Sequence, residues 1–188
     1  GNGVDDIVIG GAGGNYAIGI AQGPGTFSFT SGSIPAGGFR SATMGDFNND
    51  NNNDVAFGDD GGKINVLLGD GGGNLAYTAS ADNPASTAGG LNFVDSMVSS
   101  DFDGDGRDDV GVTAGLTSNQ PHETSVQTFL SNNAGNLVAN ANTGGSVFSP
   151  TIDGEEPNTF SDLVTADFDK NGVAGDLAYL SVKRPNGP

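Results

Sequence analysis

The stretch Asp101-Phe-Asp-Gly-Asp-Gly-Arg-Asp-Asp109 decides the reading of this chain, because it sets carboxylates at positions 1, 3, 5 and 9 of one short loop. Hard divalent cations take roughly six to eight oxygen ligands, and alternate side chains of a loop meet at one point only where the backbone turns sharply. Gly104 and Gly106 allow that turn. The expected ligands of a Ca2+ ion are the carboxylates of Asp101, Asp103, Asp105 and Asp109 and the carbonyl of Arg107. Without a cation, four carboxylates this close repel one another.

The spacing recurs on both sides. Asp46-Phe-Asn-Asn-Asp-Asn-Asn-Asn-Asp54 offers Asp46, Asn48, Asp50 and Asp54 at the same positions, with the Asn52 carbonyl at position 7. Asp167-Phe-Asp-Lys-Asn-Gly-Val-Ala-Gly-Asp176 offers Asp167, Asp169, Asn171 and the Val173 carbonyl, with a closing Asp176 that arrives one residue late. At the start, Asn2-Gly-Val-Asp-Asp6 aligns with 105–109, which places Asn2 and Asp6 at positions 5 and 9 of a fourth copy. An EF-hand is excluded for the segment from Asp101 to Val112, since Val112 replaces the bidentate Glu at position 12 and the flanks are β-prone.

Each acidic loop is followed by a short apolar run, at 7–9, 55–57, 110–112 and 177–180, and three are preceded by one, at 39–44, 93–98 and 160–165. Brief, β-prone runs bounded by glycine and polar turns read as strands. Further runs at 16–20, 64–68 and 125–130 are each followed by a glycine turn and a hydrophobic residue, as in Gly73-Asn-Leu75. The third copy carries seven extra residues in the polar stretch 115–124. Phe47, Phe102 and Phe168, at loop position 2, are expected to turn inward between repeats, because the ligands beside them must point the other way.

The unit is strand, acidic loop, strand, turn, strand, glycine turn, strand. Four strands at a period of roughly 40 to 50 residues predict an all-β fold of β-propeller blades, each of four antiparallel strands. The repeats fall at 1–37 (partial), 38–91, 92–158 and 159–188 (partial), about three and a half blades with strand counts of three, four, four and two. The irregular segment 138–158 is a candidate recognition loop.

Composition narrows the function. The formal net charge is -17 with only six basic residues, which argues against nucleic acid, whose phosphates need a basic face. There are no cysteines, so disulfides are excluded and bound Ca2+, abundant outside cells, is the plausible staple. No apolar run approaches the roughly 18 residues of a membrane span. The single histidine, His122, lies in a polar insertion with no nucleophile motif beside it. Opening on Gly1 rather than Met, the chain is expected to be a processed product or a fragment.

The phrases Gly-Asp-Phe-Asn-Asn-Asp (45–50), Asp-Phe-Asp-Gly-Asp-Gly (101–106) and Val-Leu-Leu-Gly-Asp-Gly-Gly-Gly-Asn-Leu (66–75) resemble the FG-GAP and VCBS-type repeats of bacterial secreted proteins, whose acidic loop is shared by the integrin α-subunit propeller. The resemblance implies blades, usually seven to a ring, with Ca2+ held between the first two strands of each. It implies a secreted or cell-surface module for adhesion or for binding an extracellular glycan or protein, without catalysis. The alternatives are part of a propeller-based polysaccharide lyase and a structural repeat unit that assembles with itself. With its end repeats incomplete, the chain is expected to close its ring with the remainder of a longer protein or with a second copy.

Overall fold

The computed structural model describes residues 4–82, 91–116, 124–140, 159–170 and 175–182. Asn2, Asn171 and Val173, His122 and most of the segment 138–158 lie outside the described residues.

The fold is all-β. Thirteen strands, β1 (Ile7–Gly10), β2 (Asn15–Gly23), β3 (Thr26–Ser33), β4 (Phe39–Gly45), β5 (Asp54–Asp59), β6 (Lys63–Gly69), β7 (Leu75–Asp82), β8 (Leu91–Ser100), β9 (Asp109–Leu116), β10 (Thr124–Ser131), β11 (Leu137–Ala139), β12 (Thr159–Ala166) and β13 (Asp176–Val182), form four antiparallel sheets. Their orders are β1-β2-β3, β4-β5-β6-β7, β8-β9-β10-β11 and β12-β13, so every sheet is a meander, and among the described residues the strand counts are the expected three, four, four and two. One short 3-10 turn, Ala12–Gly14, is the only helical element among the described residues.

The register places equivalent residues of each repeat alike. Gly45 pairs with Asp54 where β4 meets β5, Ser100 with Asp109 where β8 meets β9, and Ala166 with Asp176 where β12 meets β13. The position-9 aspartate is thus the first residue of the strand leaving each of these loops. The extra residue of the last loop leaves that pairing intact.

The sheets pack face to face in chain order. Successive side chains of a strand alternate between its faces. Val55 and Phe57 therefore face the first sheet, in a cluster with Ile34 and Leu67, while Ala56 and Val66 face the third, in a cluster with Val94, Met97, Val110, Val112 and Phe129. Close approach between sheets depends on glycine. A Cβ on Gly58 would lie 2.5 Å from Val94, and one on Gly10, its counterpart in the first sheet, 2.9 Å from Phe39. The initial strands β4, β8 and β12 run closest to one another, and β7 and β11 stand further apart.

The position-2 aromatics depart from expectation in one case. Phe47 is fully buried between the second and third sheets, and Phe102 packs on Gly111 and Gly175 between the third and fourth. Phe168 is 57% exposed, because no described sheet follows the fourth to cover it.

Candidate metal centre

The loops 46–54 and 101–109 share one backbone design, and the last loop repeats it at position 4. In 101–109, Gly104 and Gly106 adopt φ of 80° and 89°; in 46–54 the same positions hold Asn49 and Asn51 at 61° and 64°, and Lys170 sits at 58° in the last loop. Asparagine is among the few L-residues that enter this region readily. Left-handed residues at positions 4 and 6 coil the chain so that its amides point inward. Asp101 accepts from the amides of Gly104 (2.6 Å), Asp105 (3.1 Å) and Gly106 (2.9 Å), and Asp46 from those of Asp50 (2.9 Å) and Asn51 (2.8 Å). Position 1 organises its loop before any cation arrives.

Position 9 ties the loop to the sheet. Asp54 is buried and accepts from the Phe47 amide (2.9 Å) and from the Gly69 amide at the end of β6 (2.8 Å). Asp109 repeats this with Phe102 (2.9 Å) and Ser131 (2.8 Å). Asp6 accepts from the Ala21 amide at 2.9 Å, 15 residues on, as Gly69 is 15 residues beyond Asp54. The separation from Asp109 to Ser131 is 22, which absorbs the seven-residue insertion without disturbing the contact. Asp176 accepts from the amides of Phe168 (2.9 Å) and Asp169 (3.2 Å).

Two of these loops bring three carboxylates to one point. Ligand oxygens of Asp101, Asp103 and Asp109 lie within 4.8 Å of one another, and so do those of Asp167, Asp169 and Asp176. Both groups could hold a metal ion. Their donors are hard oxygens, which suit hard divalent cations.

The remaining expected ligands are placed differently. Asp105 is turned to Arg107, taking its backbone amide on Oδ1 (3.0 Å) and its guanidinium on Oδ2. The guanidinium also donates to Asn133 Oδ1 at 2.8 Å, across to the β10–β11 turn. In 46–54, Asp50 accepts from the Asn48 side chain (3.0 Å) and the Asn52 amide (2.8 Å), and the Asn48 carbonyl oxygen accepts from the Asp50 amide (3.0 Å). That loop spends its polar atoms on itself.

Electrostatics follow burial. Burial pushes the Asp54 carboxyl up to about 6 despite its two amide donors, with Asp50 and Asp46 adding to the rise. Asp109 is raised for the same first reason. Exposed Asp50 is lowered, chiefly by the Asn48 side chain. A cation at the loop would relieve the buried charge at position 9, as its opposite sign favours the ionised form.

Sequence reasoning treated position 9 only as a ligand and missed its part in joining loop to sheet. The signal was its presence in all four copies, including the one that starts at position 5. It also missed Asp59, which is buried and accepts from the amides of Gly61 (3.0 Å) and Lys63 (2.8 Å) and the Asn65 side chain (3.2 Å), closing the β5–β6 turn.

No family model and no curated protein matches this chain.

Proposed function

We propose that the chain is a secreted, Ca2+-binding module of β-propeller blades, of the FG-GAP and VCBS repeat type, which serves adhesion or the binding of an extracellular glycan or protein and carries out no catalysis. The observation that carries the cation reading is the convergence of Asp101, Asp103 and Asp109, repeated by Asp167, Asp169 and Asp176 at the last acidic loop. Ca2+ suits these sites better than Mg2+, since a ring of loop carboxylates and carbonyls supplies many oxygens in an adaptable shell. The blade reading is supported by four-stranded meanders stacked in chain order, with the initial strands closest together.

The extracellular setting rests on charge and chemistry. A chain of net charge -17 with no cysteine gains most from cations where calcium is millimolar. Calorimetric titration tests the metal: Ca2+ should bind at two or more sites and outcompete Mg2+, and the absence of any Ca2+ heat would overturn the reading. A glycan array probed in Ca2+ and in EDTA tests the role. Calcium-dependent binding to a defined set of glycans supports the glycan-binding form.

A further inference from the structure

Of the carboxylates at positions 1, 3, 5 and 9 of the loop 101–109, one stands apart. Asp101, Asp103 and Asp109 bring ligand oxygens within 4.8 Å of one another, and Asp105 is outside that group. The cause is local. Asp105 Oδ1 accepts the Arg107 amide at 3.0 Å, and its Oδ2 is paired with the Arg107 guanidinium.

Arg107 is held in place from its far side as well. Its other terminal nitrogen donates to Asn133 Oδ1 at 2.8 Å, in the β10–β11 turn. That turn is itself braced, since Asn132 Oδ1 accepts from the amides of Ala134 (2.9 Å) and Asn136 (3.1 Å). The Arg107 side chain is only 18% exposed, and its Nε is buried with no partner among the described residues. Enclosing a guanidinium this far costs free energy, and the charge of Asp105 offsets it. The loop thus carries a fixed positive charge of its own.

The loop 46–54 provides the contrast. Its position 7 is Asn52, whose side chain lies against Gly71, the residue that corresponds to Asn133 when the seven inserted residues are allowed for. Asn52 packs on the same turn but brings no charge, and Asp50 is paired with Asn48 instead. Among the loops 46–54, 101–109 and 167–176, the one with carboxylates at all of positions 1, 3, 5 and 9 is also the one with arginine at position 7.

We infer that Arg107 is an internal counter-ion that sets the affinity of the 101–109 site. Before a cation binds, its guanidinium takes the metal's place at Asp105, and Ca2+ must displace it to gain the fourth carboxylate. The site therefore binds Ca2+ more weakly than its carboxylates alone would dictate. This inference rests on the cation reading of the loop.

The test follows the Gly104 and Gly106 amide resonances of the full chain by NMR, with free Ca2+ set by a chelator buffer, which reads this loop apart from the others. Arg107→Gln should bind Ca2+ at least about fivefold more tightly than the parent, the scale of one partly exposed ion pair. A merely structural role for Arg107 would not yield a gain. In an Asp105→Asn background the same substitution should gain about twofold or less, since only the screened repulsion between guanidinium and ion is left to remove. Unchanged or weaker binding by Arg107→Gln overturns the inference while the cation reading stands. An equal gain in both backgrounds also overturns it, by showing that Arg107 acts through its charge and not through Asp105. If Ca2+ moves neither glycine resonance in any of these chains, the inference and the cation reading of this loop fall together.

Discussion

The backbone of Asp46, which opens one acidic loop, is bound at both its polar groups by Asp108, which lies next to the end of the following loop. The Asp46 amide donates to Asp108 Oδ2 at 2.9 Å, and the Asp108 amide donates to the Asp46 carbonyl at 3.0 Å. The contact is close, since a Cβ on Gly45 would lie 2.7 Å from Asp108. The next pair of loops meets at the same place: a Cβ on Gly175 would lie 3.3 Å from the Phe102 backbone and 3.6 Å from the Asp101 carbonyl. The 46–54 and 101–109 loops are therefore coupled through the Asp46 main chain.

Asp108→Ala should accordingly weaken cation binding in a loop to which Asp108 does not belong. Losing a charge-assisted hydrogen bond to the Asp46 amide costs about 1.5 kcal/mol, or roughly tenfold in affinity at 46–54. Terbium luminescence in a background carrying both Asp103→Ala and Asp169→Ala, where the two clusters of converging carboxylates are weakened, isolates the effect. An affinity unchanged by Asp108→Ala would show the loops to be independent.

Asp54→Ala should destabilise the protein even in EDTA. The substitution strands the amides of Phe47 and Gly69 in a buried setting, at a cost of about 3 kcal/mol. Urea denaturation in excess chelator separates this structural part from any ligand part. A variant as stable as the parent under those conditions would confine Asp54 to metal binding.

Stability without a cation should depend on pH in an unusual direction. The Asp54 carboxyl is raised by burial from its ordinary 3.8 to about 6 in the folded chain. The folded state therefore holds a proton that the unfolded state has released, so the stability this group lends is fully present below 3.8 and is lost as pH rises through about 6. Asp109, also raised by burial, acts in the same sense. In EDTA the protein should resist urea better at pH 5 than at pH 7.5, and Asp54→Asn should flatten that difference. Stability that rises steadily from pH 5 to 7.5 in EDTA would contradict the assignment.

Much of this fold is legible in the sequence because its determinants are local. Short apolar runs such as Val55–Ala56–Phe57, bounded by polar turns, mark the strands, and the acidic loops mark where the strand that follows each of them begins. The four sheets and their strand counts follow from that spacing alone. The site was less legible, since a ligand pattern shows which oxygens are available but not which hydrogen bonds compete for them. Asp105 is held by the Arg107 guanidinium and Asp50 by Asn48, contacts set by rotamers rather than by spacing. The Asp46–Asp108 link joins residues 62 apart and leaves no local trace. Exposed Phe168 shows the same limit from the other side: its position predicts an inward turn, but burial needs a neighbouring sheet.

If these loops are Ca2+ sites that stabilise the fold, the protein must melt higher in Ca2+ than in EDTA. Asp103 is the informative position, because it is exposed and, among the described residues, its only hydrogen bond is with the Asp105 amide, at 3.1 Å. Millimolar Ca2+ should raise the melting temperature of the parent by several degrees, following the logarithm of free ligand over its dissociation constant. Asp103→Ala should lose a large part of that gain while melting like the parent in EDTA. Superimposable melting curves for the parent in Ca2+ and in excess EDTA would mean that no Ca2+ site stabilises the fold.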